Sequence, residues 1–200
     1  MRYASIRSLD ISNGEGVGVS LFVQGCPFHC KNCFNSETWD FNDGKEWTEE
    51  TKNKFMELID RPYIKRVSFL GGECLAEQNL DVVLDLIKEI RISYPEKNIW
   101  LYTGYYVFID YPESHKQHKC IISTRPNAST NIIYDNNLFL KKQEEDKKRS
   151  DIISLCDVVV DGEYIDEQRD ITLKWRGSKN QRVIDVRQSL EQGKVILYCD

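Results

Sequence analysis

The chain has 200 residues, 40% of them hydrophobic and 30% charged, enough for one domain with a real core. Its 27 Lys and Arg against 32 Asp and Glu leave a net charge of −5, which speaks against binding nucleic acid or an anionic membrane through diffuse attraction. MRYASIRSLDISNGEG at the start holds no apolar run, no signal peptide is read there, and no stretch has the apolar length of a bilayer span; with an odd 7 cysteines, a reducing cytoplasm is expected, and thiols or metal ligands rather than disulfides.

In chain order, GVGVSLFVQG (16–25) is predicted as a buried strand, short, β-branched and ended by glycine. CPFHCKNC follows at once, setting Cys26, Cys30 and Cys33 in a C-x3-C-x2-C loop. WTEETKNKFMELI (47–59) is predicted as a helix with Thr48 as N-cap and Glu49 and Glu50 in a first turn that favours acids. RVSFL (66–70) is a second strand and runs into Gly71, Gly72 and Glu73. LDVVLDLIKEI (80–90) is a helix with Val83, Leu86, Ile87 and Ile90 on one face. NIWLYT (98–103) and CDVVVDG (156–162) are further strands, and RVIDV and KVILY near the end read as strand or helix. The stretch 111–150 is polar, carries the run KKQEEDKKR, and reads as an inserted, partly mobile excursion within a single domain spanning 1–200.

This alternation predicts an α/β fold of parallel strands with helices outside. The four strands end in CPFHCKNC, GGE, TGY and DG. In parallel sheets the C-terminal strand ends share one face, so these four peptides are expected to meet at one pocket.

Three cysteines leave a four-ligand centre one short. One reading is structural zinc completed by a distant ligand such as His29 or another cysteine. No second C-x2-C follows, however, and Cys74, Cys120, Cys156 and Cys199 stand alone. The sharper reading is a [4Fe–4S] cluster with one iron not held by protein. Thiolates suit such clusters, and an open coordination position is where a substrate binds. His115, His118 and Cys120 make a second candidate metal set without ordered spacing.

With SLFVQGCPFHCKNCFNSETWDF, SFLGGECL, WLYTGY, VVVDGEY and RDITLKWRGSKNQRVIDV in this order, the chain resembles the activating proteins of anaerobic ribonucleoside-triphosphate reductase, within the radical S-adenosylmethionine (SAM) superfamily. The match covers most of the chain outside 111–150. The resemblance implies a partial (β/α) barrel of the radical SAM type. It implies a cluster on Cys26, Cys30 and Cys33 whose fourth iron is chelated by SAM. Asn32 and Phe34 would contact the adenine of SAM. Gly71, Gly72 and Glu73 would receive its amino group, which needs acceptors and close backbone approach. Thr103 and Asp161 end their strands toward the same pocket, Asp161 either accepting from the ribose or anchoring its loop. Lys174, Arg176, Lys179 and Arg182 form a basic cluster suited to a carboxylate of SAM or of the partner, with Asn180 and Arg182 expected on the partner side.

Two departures stand out. Cys74 takes the place of a proline that usually follows GGE in the family, and a thiol there is either a fourth ligand or an apolar filler. SNGEG (12–16) stands where the family often shows Asp-Gly-Pro-Gly, which leaves the contacts of that loop open. The implied activity is reductive cleavage of SAM, the 5′-deoxyadenosyl radical then taking hydrogen from a glycine of the reductase large subunit, with an electron donor such as a flavodoxin. The alternatives are activation of another glycyl radical enzyme, such as pyruvate formate-lyase, against which LKWRGSKNQR argues, and a non-catalytic electron carrier. A carrier has no reason to leave an iron open.

Overall fold

The computed structural model describes residues 1–110, 119–123 and 136–199. Nine strands and four helices run in the order β1 (Arg2–Asp10), β2 (Gly18–Val23), β3 (Lys45–Glu46), α1 (Glu49–Ile59), β4 (Arg66–Gly71), α2 (Glu77–Ser93), β5 (Asn98–Tyr102), β6 (Tyr106–Asp110), β7 (Lys119–Ser123), α3 (Asn136–Ser154), β8 (Val158–Asp161), β9 (Arg182–Asp185) and α4 (Val186–Gln192) among the described residues. Seven strands form one sheet in the order β3-β1-β2-β4-β5-β8-β9, and β6 and β7 pair separately. The centre, β2-β4-β5-β8, is parallel, as the alternation of strand and helix foretells. Both margins are antiparallel: β1 against β2, β3 against β1, and β9 against β8. The sheet is open, not a closed barrel.

Period-2 patterning sorts the central strands into two faces. Val19, Leu21, Val23, Val67, Phe69, Ile99, Leu101 and Val159 lie in the main core with Phe55 and Ile59 of α1, Leu80, Val83, Ile87 and Ile90 of α2, and Ile152 and Ile153 of α3. The alternate residues Trp100, Val158, Val160 and Val183 form a second cluster, with Tyr102, Trp175 and Cys199 packed on it. Helices therefore cover one face and loops the other. Thr48 caps α1 as read, accepting from Thr51 N at 3.2 Å.

Several elements depart from the sequence reading. β1 and β3 are additional strands. RVIDV splits between β9 and the start of α4, and KVILY contributes only the bridge Ile184–Leu197. The charge run lies in α3. Its polarity hides the helix: Ile152 and Ile153 near its end enter the core, while partly exposed ion pairs link it to α2, Lys148 to Asp81 at 2.9 Å and Lys141 to Glu77. Arg149 is buried and donates Nε to the Leu75 carbonyl at 3.0 Å. The rest of the supposed excursion, and with it His115 and His118, lies at 111–118 and 124–135, outside the described residues. Among the described residues no helix is long and apolar enough to cross a membrane.

Candidate functional site

The C-terminal ends of the four parallel strands open onto a cavity of about 680 Å³, within the range of small-molecule sites. All four strand-end peptides reach it: Cys26, Cys30 and Cys33; Gly71, Gly72 and Glu73; Thr103 and Gly104; Gly162 to Tyr164. Phe22, Leu70, Tyr102 and Val160, from the loop-covered face of the sheet, supply its apolar wall.

The cysteine loop turns twice through left-handed backbone, at His29 (φ 50°) and Asn32 (φ 55°). All three thiols are free and partly exposed. Burial pushes the Cys26 thiol up to about 12, against opposing N–H groups of Phe28 and His29. Burial raises Cys30 as well, and the Tyr164 N–H opposes it. Asn35 N lies 3.4 Å from Cys33 Sγ. Cys26 and Cys30 thus resist ionisation alone, and all three sulfurs are offered backbone N–H, which suits a centre that supplies positive charge of its own. Among the described residues no three His, Cys, Asp or Glu side chains converge on a single ion; a cubane, where each thiolate takes a separate iron, does not ask for that. His29, the distant ligand of the zinc reading, stacks on Trp39 at 4.8 Å.

Glu73 is 1% exposed. Its carboxylate accepts from Leu75 N, Thr103 Oγ1 and Gly104 N, each at 2.8 Å. Burial raises its pKa to about 7, and these bonds hold it from rising further. Gly72 has no room for a side chain, since a Cβ there would lie 2.5 Å from the Gly25 carbonyl. The close approach that glycine permits here is to the cysteine loop itself, fixed by Glu73 N donating to Gly25 O at 2.7 Å.

The cavity thus gathers Cys26, Cys30, Cys33, Phe34, Gly71, Gly72, Glu73 and Thr103 from the sequence-based set. Four others sit elsewhere. Asn32 turns to the rim and donates to Asp166 at 2.7 Å. Asp161 is wholly buried, accepting from Val107 N at 2.8 Å and pairing with Arg182. Arg182 also donates to the Val107 carbonyl at 2.9 Å. Asn180 donates to Glu163 O at 2.7 Å and accepts from Ser178 at 2.7 Å. Cys74 is wholly buried among the helix-side apolar residues, where burial raises its pKa well above the usual thiol value.

The loop read as doubtful, 12–16, belongs to the site. Ser12 and Asn13 line the cavity, as does Arg7. Arg66, 0% exposed in the middle of the sheet, holds that loop. It donates to the Asp10 carbonyl at 2.8 Å and reaches the Asn13 carbonyl and Ser68 Oγ. Asp10 accepts from Ser12 N at 2.7 Å and Asn13 N at 3.0 Å. Burial alone would raise its carboxyl, but bonds from Asn13 and Ser12 bring it down to about 2. The missed signal was an arginine inside an apolar strand, RVSFL with its leading charge, which demands a buried partner.

A family model described as a 4Fe-4S single cluster domain matches residues 12–131 and 117–184. The chain is 32% identical to the anaerobic ribonucleoside-triphosphate reductase-activating protein of Vibrio cholerae over 90% of its own length and 96% of that protein. The protein of that name from Escherichia coli K12 is 30% identical over 94% and 100%, and the one from Enterobacteria phage T4 is 29% identical over 92% and 93%.

Proposed function

Given that the chain belongs to the family of anaerobic ribonucleoside-triphosphate reductase-activating proteins, we propose that it activates such a reductase by reductive cleavage of SAM at a [4Fe–4S] cluster. The observation that carries the reading is the opening of Cys26, Cys30 and Cys33 onto the same cavity as Gly71 to Glu73 and Thr103. When bound, the cluster supplies one electron to the sulfonium of SAM, whose sulfur–C5′ bond breaks to methionine and a 5′-deoxyadenosyl radical able to take hydrogen from a glycine Cα of the reductase.

The chain's own residues do the rest. Cys26, Cys30 and Cys33 would hold three irons of the cluster, and the fourth would be left for SAM. Gly71, Gly72 and Glu73 offer acceptors for its amino group, Glu73 being held in place by Thr103 and Gly104. Phe34 and the backbone at Asn32 meet the adenine. Phe22, Leu70 and Val160 keep water from the reacting bond. An open sheet with helices on one face and this cavity on the other supports the partial barrel of the radical SAM type, in a single domain over 1–200. Asp161, Asn180 and Arg182 read best as scaffold, since their polar groups serve one another and the backbone. The partners are the reductase large subunit and a low-potential donor such as a flavodoxin, in the cytoplasm.

The test is anaerobic reconstitution followed by two assays: SAM cleavage with a chemical reductant, and electron paramagnetic resonance of the reductase. A glycyl radical on the reductase is expected. SAM cleavage that radicalises pyruvate formate-lyase but never the reductase would overturn the assignment.

A further inference from the structure

Two loops from opposite margins of the sheet carry the same short motif, and each contributes to the cavity wall, through Ser12 in one and Asp170 and Ile171 in the other. Asp10-Ile11-Ser12 follows β1, and Asp170-Ile171-Thr172 lies between β8 and β9. In each, the aspartate Oδ1 accepts from the N–H two residues on: Ser12 N at 2.7 Å and Thr172 N at 3.0 Å. The turn leaves the intervening isoleucine pointing outward, Ile11 74% and Ile171 83% exposed. The second turn tips a small hairpin tied by the Arg169–Ser178 bridge and by Lys179 N donating to Gln168 O at 2.9 Å. These isoleucines are therefore held out by built turns. Phe34, on the cysteine loop, adds a third exposed apolar side chain at 66%. Phe34, Ile171 and Ser12 all border the cavity.

A single exposed isoleucine needs no explanation, but exposed apolar side chains on three loops that all contribute to one cavity wall make a patch of the kind that receives a partner. We propose that Ile11 and Ile171, with Phe34 between the cluster and the mouth, form the docking rim for the reductase segment that carries the target glycine, an extended polypeptide with apolar side chains flanking it. The proposal rests on the activase reading above and adds the surface that admits the partner. The occupant is set by continuity: a glycine Cα inside a polypeptide that enters the cavity beside Ile171 and Phe34 carries its flanking residues across these side chains. Net charge of −5 offers no broad attraction to guide that entry, so local apolar anchors carry recognition.

The experiment uses the reconstituted full chain with its reductase and compares the wild type, Ile11→Asp, Ile171→Asp and the double variant. Ile92→Asp is the control, an equally exposed isoleucine (83%) on α2, which packs on the opposite face of the sheet from the cavity wall. SAM cleavage by a chemical reductant is measured beside the KM for the reductase in glycyl radical formation. The double variant should raise that KM at least tenfold and keep SAM cleavage within twofold, with the control unchanged. An unaltered KM in the double variant, an equal rise in the control, or a parallel loss of SAM cleavage would each overturn the rim. A wild type that never activates the reductase overturns the activase reading itself, whereas an active wild type with unaffected variants removes the rim alone.

Discussion

Asp161 and Arg182 are register partners across the β8–β9 pair and are also ion-paired, Arg182 Nε donating to Asp161 at 3.0 Å. The pair stitches three pieces together, because Val107 of β6 donates its N–H to Asp161 and its carbonyl accepts from Arg182. It sits one residue before Gly162, where β8 meets the cavity. An arginine that looks like a partner-binding cation in sequence is thereby a strut for the cavity wall.

Arg182→Ala should therefore lower stability by about 3 kcal/mol, since it leaves a buried carboxylate unpaired. SAM cleavage and radical transfer should fall together. Urea midpoints and the two rates check this; a selective loss of radical transfer would return Arg182 to the partner face.

Replacing any one of Cys26, Cys30 or Cys33 by alanine should abolish the cluster and all activity. Cys74→Ala should keep iron and sulfide at about four each and cost about 1 kcal/mol for the small cavity left behind. Anaerobic iron and sulfide analysis with thermal melting separates the two classes.

Glu73 makes folding depend on pH. Its carboxyl titrates near 4.5 when unfolded and near 7 when folded, so over that window the folded state keeps a proton the unfolded state has released. Its contribution is fully present below pH 4.5 and is lost as pH rises through 7, a change of about 3 kcal/mol at roughly 1.4 kcal/mol per unit. The urea midpoint of the cluster-free chain should fall across this range in the wild type and more weakly in Glu73→Gln. Parallel curves would show that Glu73 does not titrate there.

Gly14→Ala should disturb the site from below. Gly14 has φ +126°, and a Cβ there would sit 2.6 Å from Arg66 Cδ. Strain and displacement of the buried arginine should cost upwards of about 2 kcal/mol. Because Ser12 and Asn13 line the cavity, the KM for SAM should rise as well. An unchanged KM would mean that the loop can move without consequence to the ligand.

The parallel centre of the sheet was legible because VSLFV, RVSFL, NIWLY and DVVVD are short apolar runs ended by unusual residues, and strand ends gather by topology alone. The cysteine loop was legible through its spacing, and GGE through its place after a strand together with the family resemblance. What sequence could not supply were pairings that only the fold creates. Asp10 lies 56 residues from Arg66, and Asp161 lies 21 from Arg182; each charge looks solvated until its partner is placed. The helix α3 was hidden for a related reason, its ion pairs to α2 reading as mere surface polarity.

The two-sided sheet also sorts the tryptophans. Of the four in the chain, Trp47 packs edge-on between Tyr3 and Phe55 on the helix side. Trp175 borders the cavity with Trp100 edge-on behind it at 5.0 Å, and Trp39 stacks on His29 inside the cysteine loop. A chromophore bound in the cavity would lie on the same face of the sheet as Trp100 and Trp175 and across it from Trp47. Light from Trp100 and Trp175 should therefore answer loading of the site more strongly than light from Trp47, which registers the packing of the helix side.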